Sequence, residues 1–235
     1  MKTIGLIGGM SWESSLEYYR IINEAVKQKL GGLHSAQCLL YSVDFAEIEV
    51  MQQESRWHDA AQALIQVANN LENGGADFLV LCTNTMHKVF EELQANARIP
   101  ILHIADATGQ KIREAVIQRI GLLGTRFTME EDFYKARLQR KYGLDVYIPP
   151  ASARAIVHQV IYQELVLGEI NQNSKDQYLR IIRDLVAEGV KGVILGCTEI
   201  GLLVHDGDCE VPLFDTTRIH AEAAVEFALG NEYVI

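Results

Sequence analysis

Three features of the sequence predict an α/β fold made of two similar halves, each a mainly parallel sheet flanked by helices. First, short apolar runs alternate with amphipathic segments from end to end, as in parallel strands joined by helical crossovers. Second, three landmarks recur in the same order at nearly constant spacing. Ile4-Gly5-Leu6-Ile7-Gly8-Gly9 returns as Ile120-Gly121-Leu122-Leu123-Gly124-Thr125, Phe78-Leu79-Val80-Leu81 returns as the run Val193-Ile194-Leu195, and Ile99-Pro100-Ile101-Leu102-His103 returns as Val211-Pro212-Leu213-Phe214-Asp215. Recurrence of this kind marks a duplicated unit. Third, the central run of each half ends in chemistry-bearing residues, Cys82-Thr83-Asn84-Thr85-Met86-His87 and Gly196-Cys197-Thr198-Glu199. The carboxyl ends of buried parallel strands are where open α/β sheets bind ligands, so the expected active site is a cleft between the halves. The halves are expected at residues 1–98 plus 213–235 and at 99–212.

Taken in order, Thr3-Ile4-Gly5-Leu6-Ile7 is the first strand and Gly8-Gly9-Met10-Ser11 the turn into a helix. That helix carries Tyr18, Ile22, Ala25, Val26 and Leu30 on one face and stops at Gly31-Gly32, with the 3-to-4 spacing and terminal glycine of an amphipathic helix. Gln37 to Val43 is the second strand. The polar stretch Asp44 to Trp57 has no firm assignment and is long enough to fold over a site. Ala60, Leu64, Val67, Ala68 and Leu71 mark a helix closed by Asn73-Gly74-Gly75, after which the first chemistry-bearing strand follows. Pro100 opens the next strand, where no ladder hydrogen bond is lost. In the second half, Asp145-Val146-Tyr147-Ile148 is a strand, and Tyr178, Ile181, Ile182, Leu185 and Val186 mark a helix with Ser174 as its candidate cap.

Composition narrows the function. The 235 residues are 49% hydrophobic and 22% charged, which describes a globular chain able to bury its own core. A net charge of −10 without any Lys/Arg run opposes nucleic-acid binding. No apolar run approaches the roughly 20 residues of a membrane span, and Met1-Lys2-Thr3-Ile4 leads straight into a strand, so neither a signal peptide nor a membrane association is expected. The four cysteines then read as reduced thiols in a cytoplasmic protein. No CxxC or HxxxH pair is present, so no metal is expected. Gly5 to Gly9 is not GxGxxG, which argues against a dinucleotide cofactor.

The repeat leaves two registers for the chemistry-bearing strands. Matching the turn glycines Gly75 and Gly189 pairs Thr83 with Cys197, whereas a one-residue shift pairs Cys82 with Cys197. The choice decides which group reaches the site, because neighbouring strand residues point to opposite faces.

Across essentially its whole length the chain resembles the aspartate/glutamate racemase family, whose members use no pyridoxal phosphate. The resemblance is carried by Gly8-Gly9-Met10, by Thr83-Asn84-Thr85-Met86-His87 where the family has Cys-Asn-Thr-x-His, by Gly196-Cys197-Thr198-Glu199, and by Gly124-Thr125-Arg126-Phe127-Thr128 and Pro212-Leu213-Phe214-Asp215-Thr216. Asn84-Thr85-Met86-His87 sets the register, so Thr83 stands where the family has its first catalytic Cys. The resemblance implies a cofactor-independent racemase acting on a small amino acid, and a homodimer. It implies substrate contacts from Met10, Asn84, Thr85, Thr125, Thr128, Thr198 and Glu199, and it places Gln52, with Arg56 beyond it, where aspartate racemases hold the distal carboxylate. Ile161 to Val166 lacks the Lys that such enzymes carry. Because the family's second Cys serves the L-substrate, better use of L-aspartate or L-glutamate is implied.

The chemistry agrees. Racemisation removes the Cα proton and returns one from the other face, so an acid/base group is needed on each side. Cys197 suits the base, since a thiol's pKa can fall at a helix N-terminus. Thr83 cannot match it near neutral pH and marks the weaker face. Backbone N–H groups at Gly8 to Ser11, Asn84-Thr85 and Thr198-Glu199 are expected to stabilise the charge that develops on the substrate carboxylate. Cys82 is expected to point into the sheet packing. His87 is expected either to orient a site group or to cap and pack, and His103, His220 and Asp215 are expected to be structural. Other readings are a related Cys-dependent enzyme (hydantoin racemase, maleate isomerase or decarboxylase) and a cytoplasmic amino-acid-binding protein with a decayed site.

Overall fold

A computed structural model describes residues 1–230. The chain forms two compact units, one of Met1–Ile104 with the segment from His220 onward, the other of Ala105–Ile219.

The first unit contains β1 (Ile4–Gly8), α1 (Trp12–Leu30), β2 (Cys38–Ser42), α2 (Phe45–Gln53), α3 (Trp57–Asn73), β3 (Phe78–Leu81), a 3-10 turn (Thr85–Val89), α4 (Phe90–Asn96) and β4 (Ile101–Leu102); α5 (Ile104–Glu114) starts at its boundary. The strands form a parallel sheet in the order β2-β1-β3-β4. Alternation along β3 builds two cores. Leu79 and Leu81 join Leu64, Val67, Ala68 and Leu71 of α3 on one face, while Phe78, Val80 and Cys82 join Tyr18, Ile21, Ile22 and Val26 of α1 on the other. Burying each large apolar side chain is worth about 1.5–3 kcal/mol, so a one-residue slip of β3 would exchange every one of these contacts.

The second unit contains β5 (Arg119–Gly124), α6 (Arg126–Glu130), α7 (Asp132–Tyr142), β6 (Asp145–Tyr147), α8 (Ala151–Gln163), a 3-10 turn (Leu165–Leu167), α9 (Gln172–Ala187), β7 (Val193–Gly196), α10 (Ile200–Leu203) and β8 (Leu213–Asp215), with α11 (Thr216–Ala228) running out of it. Its sheet is again parallel, in the order β6-β5-β7-β8. Asp106, near the start of α5, is buried and holds Arg137 of α7 by two hydrogen bonds of 2.7 and 2.8 Å and Lys141 by one of 2.7 Å.

The architecture is therefore the expected pair of α/β halves, but two expectations are corrected and one unassigned stretch gains a structure. The boundaries lie at 104/105 and 219/220, not at 98/99 and 212/213, because β4 hydrogen-bonds to β3 and β8 to β7; each sheet keeps its fourth strand and releases the chain only afterwards. The stretch from Asp44 to Trp57 holds α2, whose first turn is capped by the Asp44 carboxylate accepting from the Ala46 N–H at 3.0 Å. The cap of α9 is Asn171, which accepts from the Asn173 N–H at 2.9 Å. Ser174 lies inside the first turn and donates to Glu164 Oε1 at 2.9 Å.

Candidate active site

The two sheets settle which residues are equivalent. In the first, Gly5 pairs with Leu79 and Ile7 with Leu81; in the second, Gly121 pairs with Val193 and Leu123 with Leu195. With Gly5 matched to Gly121, Leu81 corresponds to Leu195. Two residues further on, Thr83 corresponds to Cys197 and Cys82 to Gly196. The side chain of Cys82 is fully buried in the α1-side core, its thiol 3.6 Å from the Val80 carbonyl. Burial pushes that thiol well above its ordinary pKa, which makes it an inert packing group.

At the carboxyl end of β7, the thiol of Cys197 donates to Glu199 Oε2 at 2.9 Å, and the Thr198 hydroxyl donates to the same oxygen at 3.0 Å. Burial pushes the Cys197 thiol well above its ordinary pKa, and the Glu199 charge and hydrogen bond push the same way. Hydrogen bonds from the backbone N–H groups of Glu199 and Thr198 oppose that rise. Cys197 thus rests as a thiol, not as the thiolate expected from its place before a helix. The N–H groups expected to serve a substrate carboxylate are turned toward the sulfur. Beside this strand end, Thr125 caps α6: its hydroxyl accepts from the Thr128 N–H at 3.3 Å and lies 3.2 Å from the Thr128 hydroxyl. The Thr128 methyl would be 3.5 Å from a Cβ on Gly196, so both threonines belong to the Cys197 end of the sheet.

Sequence reasoning missed Tyr178 as a neighbour of this site. Its hydroxyl donates to the Val157 carbonyl at 3.0 Å. Burial raises its pKa well above the ordinary value, and the nearby carboxylates of Glu164 and Glu199 add to the rise. In the sequence it is one apolar position among several on the buried face of α9, and periodicity does not distinguish it from core.

At the carboxyl end of β3, Thr83, Asn84 and Thr85 are buried. The Thr83 N–H donates to the Leu81 carbonyl at 2.8 Å, and its carbonyl lies 2.7 Å from Nδ1 of His87. The Gly8-Gly9 turn lies on the adjacent β1. Gly9 has φ +95°, and a Cβ there would collide with the Val43 backbone, so only glycine fits. Its N–H donates to Ser15 Oγ at 2.8 Å, and is committed to the start of α1 rather than to a substrate. Met10 is packed in the α3-side core. Gln52 is buried, with its amide nitrogen 3.1 Å from the Met86 sulfur. Arg56 is exposed in ion pairs with Glu54 and Asp59 at 2.7 and 3.3 Å. His103 and His220 are buried; His220 Nδ1 meets the Tyr18 hydroxyl at 2.9 Å and its Nε2 the Leu102 carbonyl at 3.1 Å, a packing role. The ten candidate side chains therefore fall evenly, with Met10, Gln52, Thr83, Asn84 and Thr85 in the first unit and Thr125, Thr128, Cys197, Thr198 and Glu199 in the second. Among the described residues no cluster of His, Cys, Asp and Glu could hold a metal ion, and no helix is long and apolar enough to cross a membrane.

Two parallel sheets of four strands, each with its active-looking residues just past the third strand in sequence, define the class of protein. Residues 7–224 match the Asp/Glu/hydantoin racemase family model, and the chain belongs to that family of isomerases. It is similar to the broad specificity amino-acid racemase RacX of Bacillus subtilis (strain 168), with 22% identity over 97% of this chain and 99% of that protein. Among solved structures it resembles a Yersinia pestis protein provisionally described as an Asp/Glu racemase, with 55% identity, a TM-score of 0.90 and coverage of 97% of this chain and 100% of the other. An aspartate racemase homologue from Pyrococcus horikoshii OT3 shares 34% identity with a TM-score of 0.84 over 97% of this chain and 100% of its own.

Proposed function

We propose that this protein is a cofactor-independent amino-acid racemase for aspartate or glutamate, with Cys197 as the base and Thr83 serving the opposite face of the substrate carbon. The observation that carries the reading is the thiol of Cys197 held 2.9 Å from the Glu199 carboxylate, at the position matching Thr83 in the duplicated sheet. The thiol first passes its proton to that carboxylate. The thiolate, favoured by the N–H groups of Thr198 and Glu199, then removes the Cα proton, so a C–H bond breaks, an S–H bond forms and the electron pair is delocalised onto the substrate carboxylate. A new C–H bond on the Thr83 side completes the inversion, with the proton coming from a water held by the Thr83 hydroxyl; the hydroxide left behind takes a proton from solvent while Glu199 gives up to solvent the proton it received, which restores the resting thiol and carboxylate.

Because a hydroxyl is the weaker acid/base group, the L-enantiomers are the better substrates. Met10, Gln52, Asn84, Thr85, Thr125 and Thr128 are the remaining candidates for substrate contact. Gln52 in place of a cation makes specificity for the distal carboxylate loose. A homodimer belongs to the same proposal and is read by sedimentation. The test is proton NMR in heavy water with a panel of L- and D-amino acids and a C5-substituted hydantoin. Loss of the Cα signal from L-aspartate or L-glutamate ahead of the D-forms is expected; a panel in which only the hydantoin exchanges overturns the substrate assignment.

A further inference from the structure

His87 is one of the most tightly specified side chains in the first unit, and the reaction as written above does not use it. It lies in the 3-10 turn that follows Thr83 and is buried. Its Nδ1 is 2.7 Å from the Thr83 carbonyl, and its Nε2 receives the backbone N–H of Ile104 at 3.1 Å. A carbonyl can only accept and an amide N–H can only donate. The ring is therefore fixed as the neutral tautomer with its proton on Nδ1, because a proton on Nε2 would confront the Ile104 N–H.

The ring itself is also held in place. Phe90 stacks against it with an interplanar angle of 7° and a centroid distance of 5.8 Å, and His103 lies at 4.4 Å. One end of this strut is the first residue of α5, immediately after β4. The other is the residue just beyond β3, whose own N–H is already tied to Leu81. The backbone of Thr83 is thus gripped on both sides, and the His87 half of the grip comes from outside the strand.

We propose that His87 is a positioning residue that holds Thr83, through its carbonyl, in the orientation needed to return the proton on the weaker face; this rests on the racemase reading of Thr83. A hydroxyl must be placed well to act at all, since a displacement of about 1 Å costs on the order of 100-fold. In the other sheet the Cys197 carbonyl accepts from the backbone N–H of Ile200 at 3.1 Å, a bond in which His87 takes no part, so the effect of losing His87 is one-sided.

Two readouts separate the faces: Cα deuterium wash-in to the L-substrate, which needs only Cys197, and conversion of L to D, which needs both faces. His87→Phe keeps the ring shape and removes both hydrogen bonds. It is expected to lower conversion about tenfold or more while leaving L wash-in within about twofold. His87→Gln offers an amide donor to Thr83 and an amide acceptor to Ile104, and is expected to restore conversion to within about threefold of wild type. In a Thr83→Ala background, adding His87→Phe should not lower the residual conversion further.

Equal losses in both readouts, or a further loss in the Thr83→Ala background, overturn the proposal and make His87 a folding residue. Full conversion by Thr83→Ala alone overturns the reading beneath it. If His87→Phe fails to fold, nitrogen-15 NMR of the wild-type imidazole decides: the neutral ring protonated at Nδ1 is expected, and a ring protonated at Nε2 overturns the proposal.

Discussion

The ends of β3 and β7 occupy the same place in two copies of one sheet, yet they are built for different work. At β7, Cys197 offers a thiol with a carboxylate acceptor 2.9 Å away and two backbone N–H groups turned on the sulfur. At β3, Thr83 offers a hydroxyl whose backbone is clamped by Leu81 and His87. Duplication has preserved the geometry of delivery while the delivered chemistry has diverged. On the proposed mechanism, one end would manage a proton through electrostatics and the other a weak group through position. The difference implies an enzyme whose two faces respond unequally to substitution.

The largest effect is expected from Cys197→Ala, which leaves the β7 end without a base. General acid/base catalysis contributes roughly 10²–10⁴-fold, and L-Cα exchange should fall by that order in heavy-water NMR; retention of full exchange would remove the asymmetry altogether. Thr83→Cys makes the ends alike. Deuterium wash-in to D-aspartate or D-glutamate should rise by about tenfold or more, with the L-form little changed. Glu199→Gln sharpens the contrast from the other side. The carboxylate charge and its hydrogen bond both raise the Cys197 pKa, so removing the charge should shift the pH midpoint of thiol alkylation downward. An unshifted or raised midpoint would mean that burial alone sets the thiol.

Cys82 lies next to Thr83 in sequence and is removed from the chemistry by the pleat. Cys82→Ala deletes a fully buried sulfur, and should cost about 1 kcal/mol in urea denaturation with exchange unchanged. Loss of exchange from a normally folded Cys82→Ala protein would put the register off by one.

In the sequence the repeated glycine turns, apolar runs and prolines left two registers open, and the resemblance at Asn84-Thr85-Met86-His87 chose the one that matches Thr83 with Cys197. The parallel order within each half follows from the same alternation. Less was legible wherever several residues can satisfy one local need. Asn171-Gln172-Asn173-Ser174 offers more than one side chain able to cap α9, and only packing against Glu164 shows why Ser174 is not the one. The helix at Phe45–Gln53 was hidden because it is short and only Ile48 and Gln52 in it are buried. The upward push on the Cys197 thiol was not legible, because a helix N-terminus is visible in the sequence while the burial of the sulfur beside Glu199 is not. The spacing of His87 four residues after Thr83 was visible as one of two readings, whereas its bond to Ile104 and the place of Tyr178 depend on contacts between distant segments, which no local pattern encodes.

The smallest expected effect concerns the last strands, where His103 and Asp215 hold matching places. Asp215 Oδ1 accepts from the N–H groups of Thr217 and Arg218 at 2.9 and 3.3 Å at the start of α11. Burial nevertheless raises its pKa above the ordinary 3.8, against the pull of those N–H groups and of Arg218. A carboxyl whose folded-state pKa is raised binds its proton more tightly in the folded than in the unfolded chain. Its contribution to stability is therefore complete below 3.8 and is lost as pH rises through the folded-state value. Asp215→Asn keeps an oxygen for the Thr217 N–H but cannot titrate. The difference in unfolding free energy between the two proteins, measured in urea from about pH 3 to about pH 7, should change across that window in favour of the variant and be flat above it. A difference that runs the other way would show that the helix N-terminus, rather than burial, governs this carboxylate.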